Sequence, residues 1–217
     1  MTRKPLDSEN RRTFLTWVLK GAAGAAFLYF SSPAGLQAHT QSSSIGSRLK
    51  DPKFKELMNE LVSRHKFPRE EIEALFGKAR FLEKIPELFA RPAEDLPYYK
   101  YRKIVINGEV ISGGKQFLKK HQAVFDEVEK VYGVDQSVIA AILGIETKFG
   151  KRTTGGYRVF DALSTIFSGI PRRESFARRE LIEFLLLCRE EDLDPNAVEG
   201  SYAGAMGMPQ FIPSSYR

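Results

Sequence analysis

The sequence predicts a mainly α fold with a small β component, which places it in the α+β class. Three observations predict this. Apolar residues recur at the helical spacing i, i+3, i+4 and i+7 through most of the chain after residue 53. Helix-capping residues stand at both ends of one central segment, at Asp135 and Gly150. Apolar residues on both sides of Asn107-Gly108 predict one short hairpin.

Composition excludes several classes of protein. The 217 residues are 42% hydrophobic and 28% charged, which excludes wholesale disorder and collagen-like architectures. The single cysteine, Cys188, excludes an intrachain disulfide. One Cys and three His also leave little for a His/Cys metal cluster.

Residues 1–38 predict a cleavable export signal. A polar, basic stretch over 1–17 precedes an apolar run over 18–30, which is short for a membrane-spanning helix of about 20 residues. Residues 10–15 (NRRTFL) resemble a twin-arginine signal, and cleavage is expected after Ala38. The alternative is an uncleaved signal anchor. No cysteine lies near the cleavage site, so a periplasmic protein that is not a lipoprotein is predicted.

Removal of this signal halves the net charge. The signal carries five basic and two acidic residues, so the formal charge falls from +6 to +3. With no basic run interleaved with aromatic residues, this charge does not indicate a nucleic-acid partner. Residues 39–50 are then predicted to be a Ser-rich linker, and residues 51–217 to form the functional domain.

Two amphipathic helices and a hairpin are predicted in the first part of this domain. The apolar stripes of the helices consist of Phe54, Leu57, Met58, Leu61 and Val62, and of Ile72, Leu75, Phe76 and Ala79. Pro68 begins the second helix. Residues 86–101, rich in Pro and aromatic residues, are expected to be irregular, and the hairpin spans 104–111.

Helices also dominate the rest of the chain. One long helix ending at Gly133 has a stripe of Phe117, His121, Val124, Phe125, Val128, Val131 and Tyr132. We expect His121 to be a partly buried core residue rather than a ligand. A helix over 162–167 is capped by Asp161, and another follows Pro171. Its apolar face consists of Ala177, Leu181, Phe184, Leu185 and Cys188, so Cys188 is expected in the core.

One carboxylate interrupts the apolar stripe of the helix that follows Asp135. The stripe consists of Val138, Ile139, Ile142, Ile145 and Phe149. Glu146 lies four residues after Ile142, so helical geometry places it within the stripe. Burial would raise its pKa toward the range of a general acid. Position alone leaves two interpretations open: a catalytic acid, or a structural glutamate bonded to backbone or to an arginine.

A loop over residues 200–214 is rich in small residues, with scattered aromatic and Met side chains. Small residues let a backbone approach a ligand closely, and aromatic, amide and hydroxyl groups hold sugar rings. The alternative is a tight structural loop. Arg172 and Arg173 precede a helix, where they either bind an anion or form solvated surface.

Several segments, taken together, resemble the lytic murein transglycosylase B family. They are residues 142–150 (ILGIETKFG), 171–173 (PRR) and 200–216 (GSYAGAMGMPQFIPSSY), with Tyr101-Arg102 and Tyr132-Gly133-Val134 in the same order. The resemblance covers roughly residues 50–217. It implies a lysozyme-like catalytic core with an additional helical region, and an enzyme that cleaves the glycan strands of bacterial peptidoglycan.

The resemblance also implies roles for individual residues. Glu146 is similar to the family's single catalytic acid/base. Six further residues match substrate-binding positions: Ser201 and Gln210 beside the sugar, Met206 in the small-residue loop, Tyr101 in the cleft, and Arg172 with Arg173 near the anionic stem peptide.

The implied reaction is non-hydrolytic cleavage of the β-1,4 bond between N-acetylmuramic acid and N-acetylglucosamine. Protonated Glu146 donates to the glycosidic oxygen, and the substrate's acetamido group stabilises the oxocarbenium ion. Ionised Glu146 then accepts the proton of the C6 hydroxyl, which closes on C1 to give a 1,6-anhydro end. One carboxylate therefore suffices where most glycosidases use two.

The chain also departs from the family pattern. It ends at Arg217, where relatives continue with further helices, a Gly/Asp-rich loop that binds calcium in some members, and a late cleft tyrosine. The expectation is a C-terminally truncated domain without a cofactor, any calcium site lying in the missing part. Expected partners are glycan strands and cell-wall synthesis or division proteins. The alternatives are a non-catalytic peptidoglycan-binding or scaffold protein, and a helical bundle unrelated to sugars.

Overall fold

The computed structural model describes residues 42–90, 97–151 and 156–217, which fall into two compact units. We call residues 97–151 with 207–210 the helical unit, and residues 42–90, 156–206 and 211–217 the mixed unit. The predicted export signal and the first residues of the predicted linker lie outside the described residues. In the described part, no helix is both long and apolar enough to cross a membrane.

The elements follow in chain order and confirm the mainly α prediction. The first stretch contains β1 (Ser42–Ser44), a 3₁₀ helix (Ile45–Lys50), α1 (Pro52–Ser63), α2 (Arg69–Gly77), β2 (Arg80–Leu82) and α3 (Lys84–Ala90). The second contains α4 (Tyr98–Val105), α5 (Gly108–Lys120), α6 (Gln122–Tyr132) and α7 (Gln136–Thr147). The third contains β3 (Tyr157–Arg158), α8 (Val159–Gly169), a 3₁₀ helix (Pro171–Arg173), α9 (Glu174–Glu190), β4 (Glu199–Gly200) and α10 (Pro213–Tyr216).

The core of the mixed unit surrounds α8, in which residues 159–167 are all buried. Four aromatic rings meet edge to face there, with centroids 4.9–5.9 Å apart: Phe54, Phe76, Phe160 and Phe167. The predicted apolar faces of α1, α2 and α9 are confirmed. Their buried members are Phe54, Leu57, Leu61, Ile72, Leu75, Phe76, Ala177, Leu181, Phe184, Leu185 and Cys188.

Two side chains of α8 bond to the backbone of β2. Asp161, predicted to cap the helix, instead lies in its first turn, where its carboxylate accepts from the Arg80 amide at 2.9 Å. It also pairs with the Arg158 guanidinium at 2.6 Å. One turn later, the Thr165 hydroxyl accepts from the Leu82 amide at 3.0 Å. Both polar side chains are buried, so these bonds fix the strand to the helix inside the core.

The predicted Ser-rich linker is wrong over residues 42–50, which form β1 and a 3₁₀ helix. β1 pairs antiparallel with β2, with Ser42 opposite Leu82 and Ser44 opposite Arg80. The pairing uses backbone groups that every residue carries, so the side chains of a serine run give no sign of it. β3 and β4 form a second two-stranded antiparallel sheet.

The helical unit consists of α4–α7, of which α5 and α7 pack together. The hairpin predicted over 104–111 is wrong. Asn107 instead caps α5, where its side-chain oxygen accepts from the Val110 amide at 3.1 Å. The predicted long helix is divided at His121 into α5 and α6, and Gly133 ends α6 in a left-handed conformation as predicted. His121 is half-buried against the Phe117 ring at 4.6 Å, which agrees with its expected role in packing.

The irregular segment predicted over 86–101 is wrong where the structure describes it. Residues 86–90 complete α3, and residues 98–101 begin α4. Pro97 has an extended backbone directly before α4, so it marks the start of that helix rather than a loop.

Candidate active site

Glu146 lies in the last turn of α7, a helix that begins at the predicted cap. The Asp135 carboxylate accepts from the Ser137 amide at 2.7 Å. The helix buries Ala140, Gly144 and Thr147 rather than the predicted stripe. Its small residues face α5, and Gly144 lets the two helices approach closely.

The predicted stripe of α7 is therefore largely exposed. Val138 is 51% exposed, Ile142 48% and Ile145 42%. Glu146 shares this open face, so its expected burial in the core is wrong. The surrounding protein nevertheless desolvates part of the carboxyl and raises the pKa of Glu146 above its ordinary value.

Within the described residues, the Glu146 carboxylate makes no ion pair and no hydrogen bond. Of the two interpretations that the sequence left open, the structural glutamate required a backbone or arginine partner. No such partner is present among the described residues, and an exposed carboxyl with a raised pKa is able to donate and accept a proton at a ligand.

Three successive residues after α7 have left-handed backbones. Lys148, Phe149 and Gly150 have φ values of 48°, 61° and 78°. This conformation is costly for the first two, which are not glycine. The Lys148 ammonium bonds to the Glu109 carboxylate at 2.9 Å, which helps to hold the run.

The Phe149 ring occupies a space made by glycines. A Cβ on Gly144 would lie 2.7 Å from Phe149 Cζ, and a Cβ on Gly114 would lie 3.1 Å from it. The ring also stacks on Phe117 at 5.2 Å. Phe149 therefore fastens the end of α7 to α5 and limits where the last turn, with Glu146, can lie.

The Gly207–Gln210 turn belongs to the same unit and contacts the end of α7. The Thr147 hydroxyl lies 2.9 Å from the Met208 carbonyl oxygen and donates to it. Gln210 has a left-handed backbone, with φ 53°, and its side-chain Nε2 donates to the Gly207 carbonyl at 2.8 Å. The predicted site residue Gln210 thus helps to close its own turn.

The small-residue loop of the mixed unit is closed by Ser201. Its hydroxyl oxygen accepts from the amides of Ala203 at 3.2 Å and Ala205 at 3.1 Å. A hydroxyl that accepts twice keeps its proton to donate to a ligand. Gly200 has no room for a side chain, since a Cβ there would lie 2.3 Å from the Ala205 carbonyl oxygen.

Met206 is 1% exposed, which favours a packing role over direct contact with a ligand. Its backbone is held on two sides. Its amide donates to the Phe211 carbonyl at 2.8 Å, and its carbonyl accepts from the Tyr216 hydroxyl at 2.9 Å. Of the two methionines nearby, Met208 is the half-exposed one, and its side chain lies against Gly150.

Sequence reasoning missed Glu180, which is completely buried in α9. Its carboxylate accepts from the Ser214 amide at 2.9 Å, the Ser214 hydroxyl at 3.0 Å and the Arg179 guanidinium at 3.0 Å. It therefore anchors α10, whose Tyr216 in turn holds Met206. Its spacing could have identified it as buried, because it lies three residues after Ala177 and four before Phe184, within the apolar face of α9.

Arg172 and Arg173 are exposed and share one aromatic neighbour. Arg172 Nη2 donates to the Phe89 carbonyl at 3.0 Å, and the Arg173 guanidinium lies 5.1 Å from the Phe89 ring centroid. Tyr202 meets the same ring edge to face at 5.2 Å. The two arginines are thus held in place by Phe89 and present positive charge to solvent.

The predicted site residues divide between the two units. The helical unit contains Glu146, Gln210 and the half-buried Tyr101 of α4, and the mixed unit contains Ser201, Met206, Arg172 and Arg173. Within the described residues, no group of three or more His, Cys, Asp or Glu side chains could hold a metal ion.

Comparison with known families accounts for this combination of motifs. The family model described as "Transglycosylase SLT domain" matches residues 50–217. The chain belongs to the transglycosylase SLT domain family. This membership agrees with the family resemblance inferred from the segments around Glu146 and Gly200.

The chain is also similar to several lytic transglycosylases, including proteins with solved structures. Membrane-bound lytic murein transglycosylase B of Escherichia coli K12 is 32% identical, over 79% of this chain and 50% of its own length. Soluble lytic transglycosylase SltB1 of Pseudomonas aeruginosa is 44% identical, with a TM-score of 0.72, over 76% of this chain and 56% of its own. Slt35 of E. coli, solved in complex with bulgecin A, is 33% identical, with a TM-score of 0.71, over 76% of this chain and 53% of its own length. The chain thus spans about half the length of these relatives.

Proposed function

We propose that the protein is a peptidoglycan lytic transglycosylase that produces 1,6-anhydro-N-acetylmuramic acid ends. One observation carries the proposal: in a member of the transglycosylase SLT domain family, Glu146 presents an unpaired, exposed carboxyl with a raised pKa. A group that donates a proton and later accepts one works best when its pKa lies near the working pH. The proposed reaction uses no cofactor.

Glu146 acts first as an acid and then as a base. Its protonated carboxyl donates to the glycosidic oxygen between N-acetylmuramic acid and N-acetylglucosamine, and the C1–O bond breaks. The substrate's acetamido group stabilises the positive charge. The Glu146 carboxylate then accepts the C6 hydroxyl proton while that oxygen bonds to C1, which restores the acid and consumes no water.

Residues of the loop and the arginine pair support substrate binding. Ser201 keeps a hydroxyl proton for a sugar oxygen, because its lone pairs accept from two backbone amides. Arg172 and Arg173, held by Phe89, present cations suited to the carboxylates of a stem peptide. Gln210 and Tyr101 are assigned to the sugar by the family resemblance.

Digestion of purified sacculi, followed by mass spectrometry of the released muropeptides, tests the proposal. We expect anhydro ends from the wild-type chain and none from Glu146→Gln. A matched control is Glu127→Gln, a change at an exposed glutamate of α6, which should leave product formation unchanged. Reducing ends would show hydrolysis instead. Sacculus binding without any cleavage would favour the scaffold alternative.

We also propose that residues 1–38 direct export to the periplasm. The paired arginines at positions 11 and 12, the apolar run and the small residues before position 38 support this. Replacing both arginines with lysine should retain the precursor in the cytoplasm if the twin-arginine route is used. N-terminal sequencing of the exported form should begin at or near His39.

A further inference from the structure

Thr147, which directly follows Glu146, has a hydroxyl placed to act as a clamp. The residue is 3% exposed, and its hydroxyl lies close to three backbone groups. It is 2.9 Å from the Met208 carbonyl, 3.4 Å from the Leu143 carbonyl and 3.0 Å from the Gly150 amide. A hydroxyl has one proton, so the shorter contact identifies Met208 as the acceptor, while Gly150 is the donor to the oxygen.

The two bonds hold different parts of the helical unit. The bond from Gly150 closes the left-handed run in which Lys148 and Phe149 adopt costly backbone conformations. The bond to Met208 fixes the Gly207–Gln210 turn to the end of α7. Because Thr147 and Glu146 are adjacent in one helical turn, displacement of Thr147 also displaces the Glu146 carboxylate.

Two neighbouring contacts hold the end of α7 against a different element, α5. Phe149 packs α7 against α5, and Lys148 bonds to Glu109 on α5. The Thr147 hydroxyl instead joins α7 to the Gly207–Gln210 turn through the Met208 carbonyl. Without it, the Met208 carbonyl and the Gly150 amide would each lose a buried partner, and the last turn of α7 could open to water.

We propose that Thr147 is a positioning residue for the lytic reaction, whose hydroxyl locks the last turn of α7 and the Gly207–Gln210 turn into one geometry around Glu146. This inference rests on the proposed function. It explains why a β-branched hydroxyl residue suits this place: the branch restricts χ1, and the hydroxyl supplies both a donor and an acceptor.

The test compares Thr147→Val, which keeps the shape and removes the hydroxyl, with Thr147→Ser, which keeps the hydroxyl. Rates of anhydro-muropeptide release from soluble glycan strands should fall about 10- to 100-fold in kcat for the valine variant, with a smaller change in KM. The serine variant should recover most of the rate. Since a loosened turn should solvate the partly desolvated Glu146 carboxyl further, the high-pH limb of the rate profile should move to lower pH in the valine variant alone.

Thr165→Val is the matched control in the mixed unit. Thr165 is also a buried threonine whose hydroxyl contacts two backbone groups, the Leu82 amide at 3.0 Å and the Arg80 carbonyl at 3.4 Å. Its replacement should lower the thermal midpoint but leave kcat per folded molecule and the pH profile unchanged. A purely structural role for Thr147 would make the two valine variants behave alike.

Carbon-13 NMR titration of the Glu146 carboxyl decides the inference even without turnover. In Thr147→Val the titration midpoint should move toward the ordinary glutamate value, and in Thr147→Ser it should stay with the wild type. A Thr147→Val variant with the wild-type rate and the wild-type titration midpoint would overturn the inference. A Thr147→Ser variant as impaired as Thr147→Val would also overturn it. A wild-type chain that releases no anhydro product would refute the proposed function, whereas an unchanged midpoint would refute the role of Thr147.

Discussion

Replacement of Glu180 by alanine should weaken the mixed unit more than any change at an exposed glutamate. The side chain is fully buried and accepts both the amide and the hydroxyl of Ser214, at 2.9 and 3.0 Å. Hydrogen bonds to a charged group contribute about 1.5–3 kcal/mol each. The third bond, from Arg179, contributes little because that side chain is 61% exposed.

Removing the carboxylate also removes the free-energy cost of burying it. This offsets part of the loss of the two Ser214 bonds, so the free energy of unfolding should fall by about 3 kcal/mol. At about 2–4 °C per kcal/mol for a protein of this size, the thermal midpoint should fall by about 6–12 °C. Glu180→Gln should lose about 1 kcal/mol, because an amide can still accept from the Ser214 amide and donate to its hydroxyl.

Urea unfolding followed by far-UV circular dichroism measures the loss, and amide hydrogen exchange at Ser214 locates it. Glu183→Ala is the matched control on the same helix: its half-buried carboxylate pairs with Arg217, and its loss should be about 1 kcal/mol or less. A loss below about 1 kcal/mol in Glu180→Ala, with unchanged exchange at Ser214, would refute the reasoning.

Three further predictions concern packing, pH and thiol chemistry. Gly144→Ala should destabilise the helical unit by about 1–3 kcal/mol in urea unfolding, because the new Cβ would lie 2.7 Å from the Phe149 ring and 3.2 Å from Val110. The raised pKa of Glu146 means that the folded state holds this proton more tightly than the unfolded chain, so ionisation weakens the fold as pH rises. Chemical unfolding should therefore show Glu146→Gln gaining stability over the wild type toward higher pH. Burial raises the pKa of Cys188 to about 12, so iodoacetamide should modify it only after unfolding, as followed by mass spectrometry.

Each of these has a clear contrary result. A Gly144→Ala variant as stable as the wild type would show that the Phe149 ring can shift at no cost. A stability difference for Glu146→Gln that does not vary with pH would contradict a raised pKa. Rapid alkylation of native Cys188 would show that the core around α9 opens.

Local periodicity was sufficient to predict α1, α2 and α9 of the mixed unit. Leu57 of α1, Phe76 of α2 and Leu181 of α9 are all buried where their spacing placed them. An apolar stripe identifies the buried face of a helix only where a hydrophobic core packs against that stripe. On α7 the same inference was wrong, because the buried residues form a second, smaller face. Gly144 on this face allows close packing against α5, and Thr147 bonds to the Gly207–Gln210 turn.

Burial within an apolar helix face, expected for Glu146, is found instead at Glu180. Both carboxylates interrupt an apolar face at helical spacing, yet only Glu180 is buried, with Ser214 as its partner. The sequence could not distinguish them, because the partner of Glu180 lies 34 residues away. Periodicity drew attention to Glu146 but left its role open, and the family motifs assigned it the role of acid/base.

Other errors also arose from choices that are settled by distant or competing contacts. Asn107-Gly108 is typical of a hairpin turn, but an Asn side chain is also a good helix cap. Here it caps α5, whose Val110 amide donates to the Asn107 side-chain oxygen. Ser42–Ser44 became a strand because Arg80–Leu82 offered backbone partners. The left-handed run after Thr147 depends on Phe149 finding space among glycines of α5, which no local pattern records.

The bonds from α8 to β2 also protect one edge of the small sheet from pairing with another molecule. β1 pairs with one side of β2, and the amides of Arg80 and Leu82 on the other side bond to Asp161 and Thr165. Residues one helical turn apart rise about 6 Å, close to the roughly 6.6 Å between alternate residues of a strand. The helix thus imitates a third strand. A second molecule finds these amides already occupied, so this side of the sheet cannot seed edge-to-edge aggregation.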